Sequence, residues 1–269
     1  MIFSYNLIRA RMLLPLVAAL SFCLVPAVGQ DQPEESQIWQ QFLEWYEQAP
    51  LDPDDLRQDC IDWTAENAGI TVEQAAKRCE LAQELVERPD NRREFDRIFW
   101  NRRYLDPNTN FNTDPNAFLE EAIQGVEPSR ALDIHMGQGR NTVFLATEGW
   151  DVTGFDFSEE GIRIAQSLAN QRGVRIRTIV QNHEEFEFDT DKWDLVAMIY
   201  TMVPIQDFAK QIMASLKPGG LLVIEGYANK KIQLPRLFNG LQILKYEDTV
   251  GLSDWGGENA HVVRFLAKK

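Results

Sequence analysis

Residues 131–141, Ala-Leu-Asp-Ile-His-Met-Gly-Gln-Gly-Arg-Asn, constrain the fold more than any other stretch. They read as a buried strand, a loop holding Gly137 and Gly139, and a helix that opens at Arg140. Glycines between a strand and a helix let backbone N–H groups approach a ligand closely. Twenty-three residues beyond Asp133, a second apolar run, Asp151-Val-Thr-Gly-Phe, ends at Asp156. An acid at the end of the next strand is placed to grip a ribose. The two signals together indicate a nucleoside-type ligand on a doubly wound sheet.

The chain around them follows the same plan. Strand-like apolar runs occupy 130–134, 151–155, 174–180, 193–199 and 220–226, and helical stretches occupy 140–148, 159–171 and 204–216 between them. This alternation predicts a parallel sheet with helices on both faces. At the end of the chain, 241–250 and 260–267 read as two strands joined by the Gly-rich turn Asp254-Trp-Gly-Gly, a closing antiparallel hairpin. The predicted fold class is therefore α/β: a Rossmann-like, seven-stranded, mostly parallel sheet preceded by a small helical extension.

With these motifs in hand, residues from about 92 to 269 resemble a class I S-adenosylmethionine-dependent methyltransferase of the tellurite-resistance-like, small-molecule group. The resemblance rests on Asp133 with Gly137 and Gly139, on Asp156, on Leu216-Lys-Pro-Gly-Gly220 leading into Leu-Leu-Val-Ile, and on the final Trp-Gly-Gly hairpin. It implies S-adenosylmethionine as cofactor. By that resemblance Asp133 orients the methionine part, and Gly137 and Gly139 leave room for it and for the ribose. Asp156 accepts from both ribose hydroxyls, and Phe157 lies against the adenine. Asn182 stands where the family has an acid contacting the adenine amino group, and its amide oxygen can accept the same bond. Tyr200 lines the transfer site, with Tyr104, Phe111 and Trp100 as further lining candidates.

One position departs from the family. His135 fills the place of the loop's first glycine, where positive φ or close ligand approach favours a residue without Cβ. Three outcomes are open: the ring fills a neighbouring gap, it closes the site, or it takes part beside His183. The spacing of His135 and His183 matches no metal signature, so no metal is expected. A dinucleotide-dependent dehydrogenase fits less well, because Thr142 stands where the third glycine of that loop belongs. Methyl transfer is an in-line displacement driven mainly by positioning, so no catalytic dyad need be visible. The loop Ile199-Tyr-Thr-Met lacks the Asn-Pro-Pro-Tyr pattern of enzymes that methylate base or glutamine amino groups. With a formal charge of −14, nucleic acid is a poor partner and a small-molecule substrate is expected.

The N-terminus adds an address. Arg9 and Arg11 precede an apolar stretch from Met12 to Val25, and Ala27-Val28-Gly29 supplies small residues for cleavage. Residues 1–29 thus read as a secretory signal peptide, which makes the protein periplasmic or secreted with no stable membrane insertion. An uncleaved membrane anchor is the alternative. Export also raises a second functional class, a non-catalytic protein that keeps the fold with a closed or degenerate site. Residues 30–91 form the helical extension and 92–269 the main domain. In that extension, Asp52–Asn67 and Thr71–Arg88 read as helices about the turn Ala68-Gly69-Ile70, the second opening on a Thr71/Gln74 capping box. Cys60 and Cys79 lie nearly equidistant from the turn, so the hairpin brings them level for a disulfide or leaves them as two small buried hydrophobes.

Overall fold

The computed structural model describes residues 34–52, 55–201, 204–228, 233–254 and 259–269. The signal peptide read in residues 1–29 lies outside them. Contacts divide the chain into two units, one ending at Arg103 and one beginning at Tyr104.

The first unit is helical. Helix α1 (Glu35–Gln48) buries Ile38, Trp39, Phe42, Leu43, Trp45 and Tyr46, the face set by their three-and-four spacing. Helix α2 (Leu56–Ala68) starts at Asp55, whose side chain accepts from the backbone N–H groups of Arg57 and Gln58, and ends at Gly69 in the left-handed conformation. Helix α3 (Val72–Val86) carries the expected capping box, Thr71 with Gln74. Cys60 and Cys79 are joined as a disulfide across this hairpin, with Cα atoms 6.3 Å apart.

Helix α4 (Pro89–Leu105) runs unbroken through residue 91, where the sequence reading sets the boundary. Its apolar residues Phe95, Ile98 and Phe99 join the core of the helical unit. Arg102 donates to the carbonyls of Tyr46 and Ala49, acceptors that the end of α1 leaves unsatisfied. Arg103, buried to 4% exposure, forms a two-pronged pair with Asp52 at 2.6 and 2.8 Å. Trp100 packs edge-on to Phe99 against this core.

In the second unit, neighbouring strand residues point to opposite faces, and in the central strands both faces are buried. Leu132, Val196 and Leu222 go to one core with Phe265 and Phe238, while Ala131, Leu195 and Val223 go to the other with Leu119, Leu145 and Trp150. The strands are β1 (Arg130–Ile134), β2 (Asp151–Asp156), β3 (Arg177–Val180), β4 (Trp193–Ile199), β5 (Leu216–Tyr227), β6 (Gln242–Gly251) and β7 (Ala260–Lys268). Their order is β3-β2-β1-β4-β5-β7-β6, parallel except for β7, which pairs antiparallel with β5 and β6. The helices of this unit are α5 (Ala117–Ala122), α6 (Arg140–Thr147), α7 (Glu159–Arg172), α8 (Ala209–Ser215) and α9 (Leu234–Leu237).

Two boundaries move. β5 begins at Leu216, so Lys217-Pro-Gly-Gly is the irregular start of the strand, with the register shifting between Trp193 and Leu195 on β4. The helix expected over 204–216 splits into a 3₁₀ turn, Ile205–Asp207, and α8. The strand order reverses between β1 and β4, which opens a crevice at the carboxyl ends of those strands.

Candidate functional site

The crevice is built from the residues that follow β1 and β2. Gly137 and Gly139 have φ of +54° and +79°, a region costly to residues with a Cβ. His135, one residue past β1, has φ of +55° in the same region. The sequence flagged this residue as the departure, and the backbone holds it in the conformation a glycine would adopt.

Asp156 fastens the loop. Its Oδ2 accepts the Gly137 N–H at 2.9 Å and its Oδ1 accepts the Ser158 N–H at 2.8 Å. Asp133 accepts from the Thr142 hydroxyl at 2.6 Å. Both carboxylates are buried, at 2% exposure for Asp133 and 5% for Asp156. Burial pushes Asp133 up to about 7 against the lowering effects of Thr142 and Arg140. It pushes Asp156 to about 6 despite the hydrogen bonds from Ser158 and Gly137. Two acids this costly to ionise create a place where a cation is favoured.

The two glycines serve different purposes. A Cβ at Gly139 would lie 2.5 Å from the Ala165 Cβ, so that glycine is needed for α6 and α7 to approach each other. A Cβ at Gly137 would overlap the Tyr104 hydroxyl, so the clearance there is taken by a side chain of this chain. Tyr104 stacks on Phe111 at 4.9 Å and also lies against the Cβ position of Gly161. Burial and the nearby Asp156 charge hold its phenol well above the ordinary value. Sequence reading gave Tyr104 as a lining candidate but carried no signal for its contact with the glycine loop.

His135, Phe157 and His183 come together beside the loop. The His135 ring centre lies 5.3 Å from Phe157, 5.5 Å from Phe155 and 5.2 Å from His183. Its Nε2 stands 3.3 Å from His183 Nδ1, within hydrogen-bond reach. Burial first, then His183, lowers His135 to about 3, so the ring is neutral over the ordinary pH range. Asn182 turns its amide oxygen to the His183 N–H at 2.9 Å, which closes a local turn after β3 and leaves that oxygen a second lone pair.

Tyr200 stands at the end of β4 with φ of +55°, and its hydroxyl accepts the Asp254 N–H at 3.2 Å. Around it is a polar network the sequence did not reveal. Glu225, at 2% exposure, accepts from Arg264 at 2.6 Å and from Asn116 at 2.8 Å. Asp254 receives Arg140 at 2.7 Å and Asn116 at 2.6 Å. These partners come from segments as much as 138 residues apart, beyond the reach of any local pattern. Burial and Glu225 together raise the Tyr200 phenol above its ordinary value.

Residues 131–220 match the methyltransferase domain family. Among curated proteins, the chain is 25% identical over 181 residues to hemagglutinin 1 of Eikenella corrodens, covering 58% of this chain and 60% of that protein. It is 29% identical over 162 residues to the ribosomal protein L11 methyltransferase of Halalkalibacterium halodurans, covering 56% and 50%. The chain thus spans about half to three-fifths of the length of these relatives. Among solved structures, TehB from Haemophilus influenzae matches with a TM-score of 0.50 at 16% identity, covering 64% of this chain and 66% of that one, a likeness of fold.

Proposed function

We propose that this chain, whose residues 131–220 match the methyltransferase domain family, is a class I S-adenosylmethionine-dependent enzyme that transfers a methyl group to a small molecule outside the cytoplasm. The observation that carries the reading is the pair of buried acids at the ends of β1 and β2, joined through the glycine loop.

The donor set suits the cofactor. S-adenosylmethionine brings an electrophilic methyl group on a sulfonium, together with an ammonium group and two ribose hydroxyls. Asp156 accepts backbone N–H groups from Gly137, Ser158 and Phe157, and of a carboxylate's roughly four acceptor sites about one remains for a ribose hydroxyl. Asp133 supplies buried negative charge for the cationic part, and Phe157 and Asn182 border the base side. Tyr104, whose hydroxyl fills the clearance at Gly137, must turn aside to admit the cofactor, and Tyr200 stands at the end of β4. The work of the chain is to orient the partners and exclude solvent, which suits a displacement that needs little acid–base help.

The small-molecule part rests on the acidic balance of −14, which disfavours a polyanionic partner. Export rests on the charged, apolar and small-residue pattern of residues 1–29. Among the described residues no helix is long and apolar enough to cross a membrane.

A second reading has its own observation. His135 occupies a positive-φ site and packs among Phe157 and His183, beside the space the base would use. That geometry favours an exported protein that keeps the fold with a closed site. Calorimetric titration with S-adenosylhomocysteine separates the two. Micromolar affinity supports the methyltransferase. Absence of binding in the native chain, with binding restored in His135→Gly, establishes the closed site.

A further inference from the structure

Exposed apolar side chains are not spread evenly over the molecule. Among the described residues, Val72, Leu105 and Val180 stand singly, whereas Ile243, Leu244, Tyr246, Val250 and Leu252 fall within one short stretch. Single exposed apolar residues are ordinary, but a cluster marks a contact surface. This cluster lies on and just beyond β6, the end strand of the sheet among the described strands, which pairs only with β7. Along its other edge, β6 presents backbone N–H and C=O groups with no strand to receive them, over an element of 10 residues.

Proteins guard such edges with lysines and bulges. The irregularity in β6 is confined to its start, between Ile243 and Lys245, and pairing with β7 runs without a shift from Lys245 to Gly251. The charge of Lys245 is met by Glu121 at 2.8 Å and by Glu247 at 3.3 Å. Neither device closes the edge beyond Lys245.

The charges on the strand indicate what it fits. Successive side chains alternate between faces, so Lys245 and Glu247 share one face while Tyr246 and Asp248 share the other. A two-fold axis normal to the sheet keeps each residue on its own face. Under that symmetry a residue opposes only itself or one an even number of positions away, and every register is centred on one residue. Centring on Lys245, Glu247 or Asp248 sets like charges against each other, which is destabilising. Centring on Tyr246 sets Lys245 against the partner's Glu247, and Glu247 against the partner's Lys245. We infer that β6 pairs antiparallel with β6 of a second copy about Tyr246, closing a two-fold dimer whose sheet runs on through both chains. The closed symmetry uses up this edge in both copies, and the acidity of the remainder is screened beyond about 10 Å at ordinary salt. The inference does not rest on the proposed methyl transfer.

Sedimentation velocity of the full chain in about 0.15 M salt, at concentrations up to about 100 μM, tests it. The native chain is expected to pass from the mass of one chain to that of two as concentration rises. Lys245→Glu alone and Glu247→Lys alone each place like charges across the axis, and each should weaken the dimer at least about tenfold. Mixed in equal amounts, the two variants should recover it, because each then meets the opposite charge on the other. Thermal melts of each variant establish that it is folded. A native chain that stays monomeric, a mass that grows beyond two chains, variants that dimerise as the native chain does, or a mixture that dimerises no better than either variant alone would each overturn the inference.

Discussion

At the residue scale, Asp156 holds the glycine loop to the end of β2 with one oxygen and the start of α7 with the other. Hydrogen bonds to a charged group are worth about 1.5–3 kcal/mol each. Asp156→Ala, which removes the ribose acceptor and releases the glycine loop, is therefore expected to lower affinity for S-adenosylmethionine roughly 100-fold or more. Titration calorimetry beside a circular-dichroism melt checks this; a folded variant with unchanged affinity would refute the ribose contact. Gly139→Ala has a different signature. Positive φ costs about 1–2 kcal/mol, and overlap with Ala165 adds about 1–3. Urea denaturation should report a loss of roughly 2–5 kcal/mol, whereas a change below about 0.5 would mean that α6 and α7 are not packed as described. Asp133, His135, Gly137, Gly139 and Asp156 were all legible because a strand–loop–helix junction uses few residue types. What Gly137 makes room for was not legible, since Tyr104 reaches it from a segment whose own pattern is only helical.

At the element scale, the hairpin of α2 and α3 announced itself through its capping box and through cysteines placed symmetrically about Gly69. Cross-linking residues 19 apart removes about 3 kcal/mol of chain entropy from the unfolded ensemble. Reduction, or the pair Cys60→Ser and Cys79→Ser, should lower the thermal midpoint of the helical unit. Identical melts with and without reductant would show that the bridge contributes nothing. Helix α4 was legible as a helix, but its allegiance was not. Whether Phe95 and Phe99 pack forward or backward along the chain depends on which apolar surface is available, and Arg102 and Arg103 settle it by meeting groups about 50 residues earlier. The irregular entry into β5 was equally hidden, because Lys217-Pro-Gly-Gly carries no period-two pattern and gains its strand character from pairing with β4.

At the scale of the whole molecule, the buried acids link binding to pH. Asp133 and Asp156 have folded values of about 7 and about 6, above their ordinary 3.8. Their contribution to stability is fully present below 3.8 and is lost as pH rises through 6 to 7, because ionised buried acids are costly. His135 acts in the opposite sense: its neutral form supports the fold above its ordinary 6.5, and that support is lost as pH falls toward 3. A cationic ligand favours the ionised acids. S-adenosylmethionine should therefore bind more tightly as pH rises from about 6 to 8, with protons released on binding. Calorimetry in two buffers of different ionisation enthalpy measures that release. Affinity independent of pH, with no proton released, would show that the cation does not meet these acids.

The sequence by itself determined the alternation of strands and helices, the antiparallel ending, the glycine loop and the two acids that flank it. Those features depend on spacing and on which residues tolerate a given backbone, both of which are local. Only the tertiary structure decided where the helical unit ends, which side chains occupy the clearance at Gly137, and how Glu225, Asp254, Asn116, Arg140 and Arg264 satisfy one another. The physical reason is common to all three. Each is a contest among distant partners for the same buried space or hydrogen bond, and its outcome exists only once the chain has closed on itself.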